Sequence, residues 1–155
     1  GDGFELWGTD NVGQASHIDA VVLDVTYPES VAPQFTTLSP TNGSTDVDVD
    51  ADLVITFDER VAVGTGNIEI RRVSDNVALE SVDVTSGLVT VDNAAGTNGV
   101  VTVNPAGAFP RDTDVYVYIP GGAIADLFGN GFVGITNSTT WRFSKLSPAT
   151  VFRFR

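Results

Sequence analysis

Apolar and polar positions alternate along most of this chain with a period of two. Ile68 and Ile70 are separated by Glu69 and followed by Arg71, Val82 and Val84 flank Asp83, and Val115, Val117 and Ile119 interleave with Tyr116 and Tyr118. Successive side chains of a strand point to opposite faces, so this pattern predicts strands that bury one face each. Over residues 46–57 the same rule predicts one continuous strand, with Val47, Val49 and Ala51 on one side and Asp46, Asp48, Asp50 and Asp52 on the other. No segment carries a clean 3.6-residue stripe. The single helical turn expected lies at residues 122–127, a short apolar stretch before Phe128-Gly129-Asn130-Gly131.

Between the runs sit most of the 16 Gly and 7 Pro, as in Ser39-Pro40-Thr41-Asn42-Gly43, Gly64-Thr65-Gly66-Asn67, Ala95-Gly96-Thr97-Asn98-Gly99 and Pro120-Gly121-Gly122. Glycine reaches positive φ without penalty and proline fixes φ, so these clusters are corners. Short β-branched runs separated by such corners predict an all-β antiparallel sandwich with about seven core strands plus extra flanking strands. The strands are expected near residues 34–38, 52–57, 67–72, 77–84, 88–91 with 100–103, 114–119 and 139–143.

A family resemblance rests on five motifs in order. Pro40-Thr41-Asn42-Gly43-Ser44-Thr45-Asp46-Val47 leads into Leu53-Val54-Ile55-Thr56-Phe57-Asp58-Glu59-Arg60-Val61. Gly64-Thr65-Gly66-Asn67-Ile68 follows, then the strand Thr113 to Tyr118, the turn Ala125-Asp126-Leu127-Phe128-Gly129-Asn130, and the closing Thr139-Thr140-Trp141-Arg142-Phe143. Together they resemble the SbsA-type bacterial Ig-like domain over about residues 33–145. Asp114 departs from the family pattern, which has an aromatic or small residue there. The resemblance implies an Ig-like β-sandwich from a large bacterial surface or secreted protein, extracellular and non-catalytic.

The chain of 155 residues is long enough for one ordinary domain and a short appendage. Residues 32–145 are read as the Ig-like domain, residues 1–31 as N-terminal flanking strands or a linker, and residues 146–155 as a basic C-terminal strand or tail. Residues 1–31 contain Phe4-Glu5-Leu6-Trp7 and an alternating run at residues 18–25, which look like the last strands of a preceding β domain. They need a surface to pack on, and exposed strand edges would favour self-association. Since Gly1 is not an initiator Met, the piece reads as cut from a longer chain.

Charge and composition remove several functions. Asp and Glu number 20 against 8 Lys and Arg, a net charge of −12 that repels phosphate backbones, so no nucleic-acid partner is expected. All the acids precede Arg142; the last stretch holds Arg142, Lys145, Arg153 and Arg155 alone, and residues 151–155 alternate as an edge-pairing strand would. Without cysteine there is no disulfide framework, zinc–thiolate site or thiol nucleophile. No apolar run reaches the ~18 residues a membrane helix needs, so membrane insertion is not expected. Absence of Cys and Met together with few Lys suits an oxidant-exposed extracellular surface.

Three chemistries remain to be weighed. Catalysis lacks parts: His17 is the single histidine, no Gly-x-Ser-x-Gly elbow accompanies it, and Asp58-Glu59 stands where a strand ends and a turn begins. A hard cation is better supplied, because a strand would stack Asp46, Asp48, Asp50 and Asp52 in one mutually repelling column. Asp48 and Asp50, with Asp126 and Asn130 if the fold brings them near, are the candidate calcium ligands. The alternative is that the Asp residues solvate an outward face and Asp126 caps its own turn by accepting backbone N–H groups. Tyr116 and Tyr118 share one strand face about 6.5–7 Å apart and could stack a sugar, unless they are half-buried packing as Trp141 is expected to be.

The function expected is therefore a structural spacer or adhesion module. Its partners are neighbouring domains of the same chain, with a polysaccharide or cell-surface ligand as the further expectation. No cofactor is required and calcium is the one candidate. The alternative is a carbohydrate-binding accessory domain of a polysaccharide-degrading enzyme.

Overall fold

The computed structural model describes residues 8–9, 15–16, 30–48, 50–94, 98–107, 110 and 112–145. Two short strands, β1 (Gly8–Thr9) and β2 (Ala15–Ser16), pair with each other. Then come β3 (Phe35–Ser39), β4 (Ser44–Val47), β5 (Leu53–Phe57), β6 (Val61–Val63), β7 (Asn67–Arg72), β8 (Ala78–Asp83), β9 (Val89–Asp92), β10 (Val100–Val103), β11 (Asp114–Tyr118), β12 (Ile124–Asp126) and β13 (Arg142–Lys145). Among the described residues there is no helix. The expectations for Phe4-Glu5-Leu6-Trp7, His17, the run at residues 18–25 and the pairing of residues 151–155 lie outside the described residues.

Two sheets make the sandwich, one ordered β3-β5-β10-β9 and the other β4-β13-β11-β7-β8. All pairings are antiparallel except β4 with β13. Burial follows the alternation that predicted the strands. Leu53, Ile55, Phe57, Val101 and Val103 line the inside of the four-stranded sheet, and Ile68, Ile70, Val82, Val115, Val117 and Phe143 line the inside of the five-stranded one. Trp141 joins this core as expected, 1 % exposed, with its indole N–H donating to the Pro40 carbonyl at 2.8 Å. That bond satisfies the one polar atom the ring brings inside.

Two expectations are corrected. The run over residues 46–57 is not one strand: β4 ends at Val47, Asp46 has a left-handed φ of 59°, and Ala51 N donates to Asp48 O to close a turn before β5. The four-aspartate column therefore does not form. Residues 122–127 are not a helical turn either. The N–H and C=O groups of this stretch bond sideways, with Ala123 O accepting from Gly64, Ile124 O from Phe132, and Asp126 N donating to Asn130 O. That makes β12 the middle strand between β6 and the returning chain at residues 130–132. The close approach to β6 needs the glycine at position 64, where an added Cβ would stand 2.1 Å from Gly122 O.

Strand direction fixes two ends. At one end the chain comes in: Gln34 exchanges bonds with Asp58 beyond the end of β5, and the Phe35 ring meets Phe132 edge-on at 6.3 Å. The β6–β12 pair and the whole excursion between β11 and β13 stand at this leading end, since Asp126 pairs with Val61 just after β5. At the other end Asp48–Ala51 turns into the start of β5.

Candidate functional site

Asp126 is the one charged side chain among the described residues that is buried, at 3 % exposed. It sits at the end of β12, where the chain must reverse within three residues to return as Asn130. One carboxylate oxygen, Oδ1, accepts from the N–H of Phe128 at 2.8 Å and of Asn130 at 2.7 Å, and Oδ2 accepts from the Asn130 side-chain amide at 2.6 Å. Gly129 supplies the positive φ, 95°, that the corner requires. Burial alone would push this carboxyl up, but the bonds from Asn130, Phe128 and Gly129 outweigh it and hold the group below the usual carboxylate range. Asp126 and Asn130 thus meet in one turn with the carboxylate facing N–H donors, the turn-capping arrangement set out as the alternative to a cation.

The other two candidate ligands are elsewhere. Asp48 and Asp50 are exposed on the turn before β5, where Asp50 N donates to Asp48 Oδ1 at a long 3.4 Å. The length of β5, about 13 Å at 3.3 Å per residue, separates that turn from the end that carries Asp126. Asp52 accepts from the Asn104 amide at 2.9 Å. Among the described residues no three His, Cys, Asp or Glu side chains gather closely enough to hold a metal ion. Asp58, the tempting member of the Asp58-Glu59 pair, accepts from Gln34 N at 2.9 Å and so fastens the incoming chain.

Tyr116 and Tyr118 do share the outer face of β11, but they do not offer two open rings. Tyr116 is 3 % exposed, lies between Arg71 and Arg142 across the ladder, and donates its hydroxyl to the Asn76 side chain. Tyr118 has the Arg71 guanidinium over its ring at 4.3 Å, and Arg71 is itself bonded to Glu69. That bond to Glu69 raises the Arg71 pKa, so the cation over the ring is permanent. The paired-ring sugar platform is corrected on this ground: cross-strand arginines cover the faces that a sugar would need.

Sequence reasoning missed the Arg142–Asp114 ion pair, which links β13 to β11 on the same outer face. Shallow hollows of about 390 Å³ and about 470 Å³ flank it. Asn42, Ser44, Thr45 and Thr139 line one, and Arg72, Ser74, Asp112 and Thr113 line the other. The residues stand 28 positions apart, so no local spacing could have shown the pair. The one available signal was Asp114 itself, the departure from the family pattern.

Two facing sheets, a parallel pairing of the early strand β4 with the last strand β13, and a chain that switches sheets between β3 and β4 define an immunoglobulin-like sandwich. A family model for the bacterial Ig-like domain matches residues 29–145, and the chain belongs to that family. No curated protein matches the chain, and no solved structure does. Membership is consistent with a non-catalytic module, and bacterial Ig-like domains commonly occur in extracellular or surface proteins.

Proposed function

We propose that this chain is a non-catalytic spacer module, of the SbsA type, in a large extracellular or surface protein, where it holds neighbouring domains at a set distance and carries adhesion. The observation that carries this reading is the use of the most buried carboxylate among the described residues: both oxygens of Asp126 are engaged in closing a turn. Within the described residues, β3 runs away from the leading end and β13 runs parallel to β4 toward the turn before β5, a course that suits modules connected in series. Neither calcium nor any other cofactor is needed for this role.

The two hollows beside Arg142 and Asp114 favour a second reading, a carbohydrate-binding accessory domain. Hydroxyl, amide and paired charged groups converge there, the groups that recognise sugar hydroxyls. Retention on a panel of insoluble polysaccharides and glycans separates the two. The spacer reading expects no retention. Binding that falls at least tenfold in Arg142→Ala would replace it with the second reading.

A further inference from the structure

The leading end of the sandwich is unusually apolar. Seven large hydrophobic side chains are exposed among the described residues, and five of them stand at this end: Val31, Val63, Leu127, Phe128 and Val133. Leu127 and Phe128, 58 % and 69 % exposed, occupy the tip of the β12 hairpin that Asp126 clamps from inside. Holding a phenyl and an isobutyl group side by side in water on a fixed turn is unfavourable unless another surface covers them. Only Val77 and Leu88 lie away from this end.

The length of chain before the domain points to the occupant. Six residue steps lead from Val25 to Val31, a span of at most about 3.6 Å each or about 22 Å in all. A segment joined through so short a tether competes for this end at an effective concentration in the millimolar range. A second copy of the chain would need comparable bulk concentration to compete. The run supplies Ile18, Val21, Val22, Leu23 and Val25, chemically matched to the patch.

We infer that the Leu127–Phe128 tip is the docking surface for the chain's own residues 18–25, so that the segment entering the module is seated on the module it precedes. The inference rests on the spacer reading and specifies how such a module would set its angle to what comes before it.

The full chain contains no cysteine, so a spin label on Thr65→Cys, an exposed position whose backbone N–H bonds to Gly122 O at the same end, is unique. In a dilute labelled sample the amide signals of residues 18–25 should be broadened, and Leu127→Ser with Phe128→Ser should restore at least half of the lost intensity. No broadening in the labelled parent overturns the proposal. Broadening that survives the double substitution, or that arises only between labelled and unlabelled copies, overturns it too. Both substituted side chains are exposed and leave the Asp126 bonds intact; should the double variant fail to fold, Leu127→Ser alone provides the same comparison. Failure here leaves the spacer reading standing, because polysaccharide retention tests that reading and depends on neither position.

Discussion

The molecule has two aspartate-bearing turns, one at each end of β5, and they put the same side chain to opposite uses. At the leading end Asp126 is buried, and three N–H groups converge on its two oxygens within 2.8 Å. At the other end Asp48 and Asp50 face water, joined by a single bond of 3.4 Å. A carboxylate loses hydration on burial and regains the loss only where donors are already arranged around it. The backbone reversal after β12 supplies such donors; the looser turn before β5 does not. Local charge density therefore misjudges where an acid matters, since the turn with more aspartates is the one that depends on them less.

The sharpest way to break this comparison is to remove the support beneath the Asp126 turn. Phe132, 1 % exposed, returns from that turn into the core and meets Phe57 edge-to-face at 5.2 Å. Phe132→Ala should cost about 3–5 kcal/mol, read by urea denaturation, because it leaves a cavity between the hairpin and the four-stranded sheet, where Phe35 and Phe57 meet its ring. A loss below about 1 kcal/mol would show that the hairpin is an appendage and not part of the core.

Next in size is Asp126→Asn, whose amide oxygen can keep the two backbone bonds from Phe128 and Asn130 but whose NH2 group then faces the Asn130 side-chain amide in place of the charged acceptor. The melting temperature should fall by several degrees at neutral pH. Because the folded carboxyl is held below its ordinary range, its contribution is complete above the unfolded value of about 3.9 and fades as pH falls through the folded value. The gap between parent and variant should thus narrow in acid. A gap that stays constant with pH would mean that the charge on Asp126 is not what holds the turn.

Period-two alternation made the sandwich readable before any coordinates: the buried set Ile68, Ile70, Val115 and Val117 follows from it directly. The Asp-x-x-Gly-Asn spacing likewise carried the alternative that Asp126 caps its own turn by accepting backbone N–H groups. What stayed hidden depended on partners distant in sequence. β12 is three residues long and is a strand only because Val61–Val63 lies beside it, and the four-aspartate column failed because Asp46 turns left-handed, which alternation cannot register. Tyr116 reads as half of an exposed pair until Arg71 and Arg142 arrive from neighbouring strands to cover it.

The smallest effect is expected where the sequence carries the most negative charge. Exposed polar side chains without a defined bonding role usually change stability by no more than about 0.5 kcal/mol, so Asp48→Ala with Asp50→Ala should leave the denaturation midpoint almost unchanged. Removing two neighbouring like charges also relieves their repulsion, which works against any loss from the single long bond between them. Melting in calcium against chelator makes the same point independently. A site filled at a hundred times its Kd would add ~2.7 kcal/mol, so a bound ion would announce itself as a clear rise in Tm. Coincident melts are expected, since Asp48 and Asp50 stand a strand's length from Asp126 and Asn130. A calcium-dependent rise that disappears in the Asp48 and Asp50 double variant would reverse the comparison and make the exposed turn the one that binds.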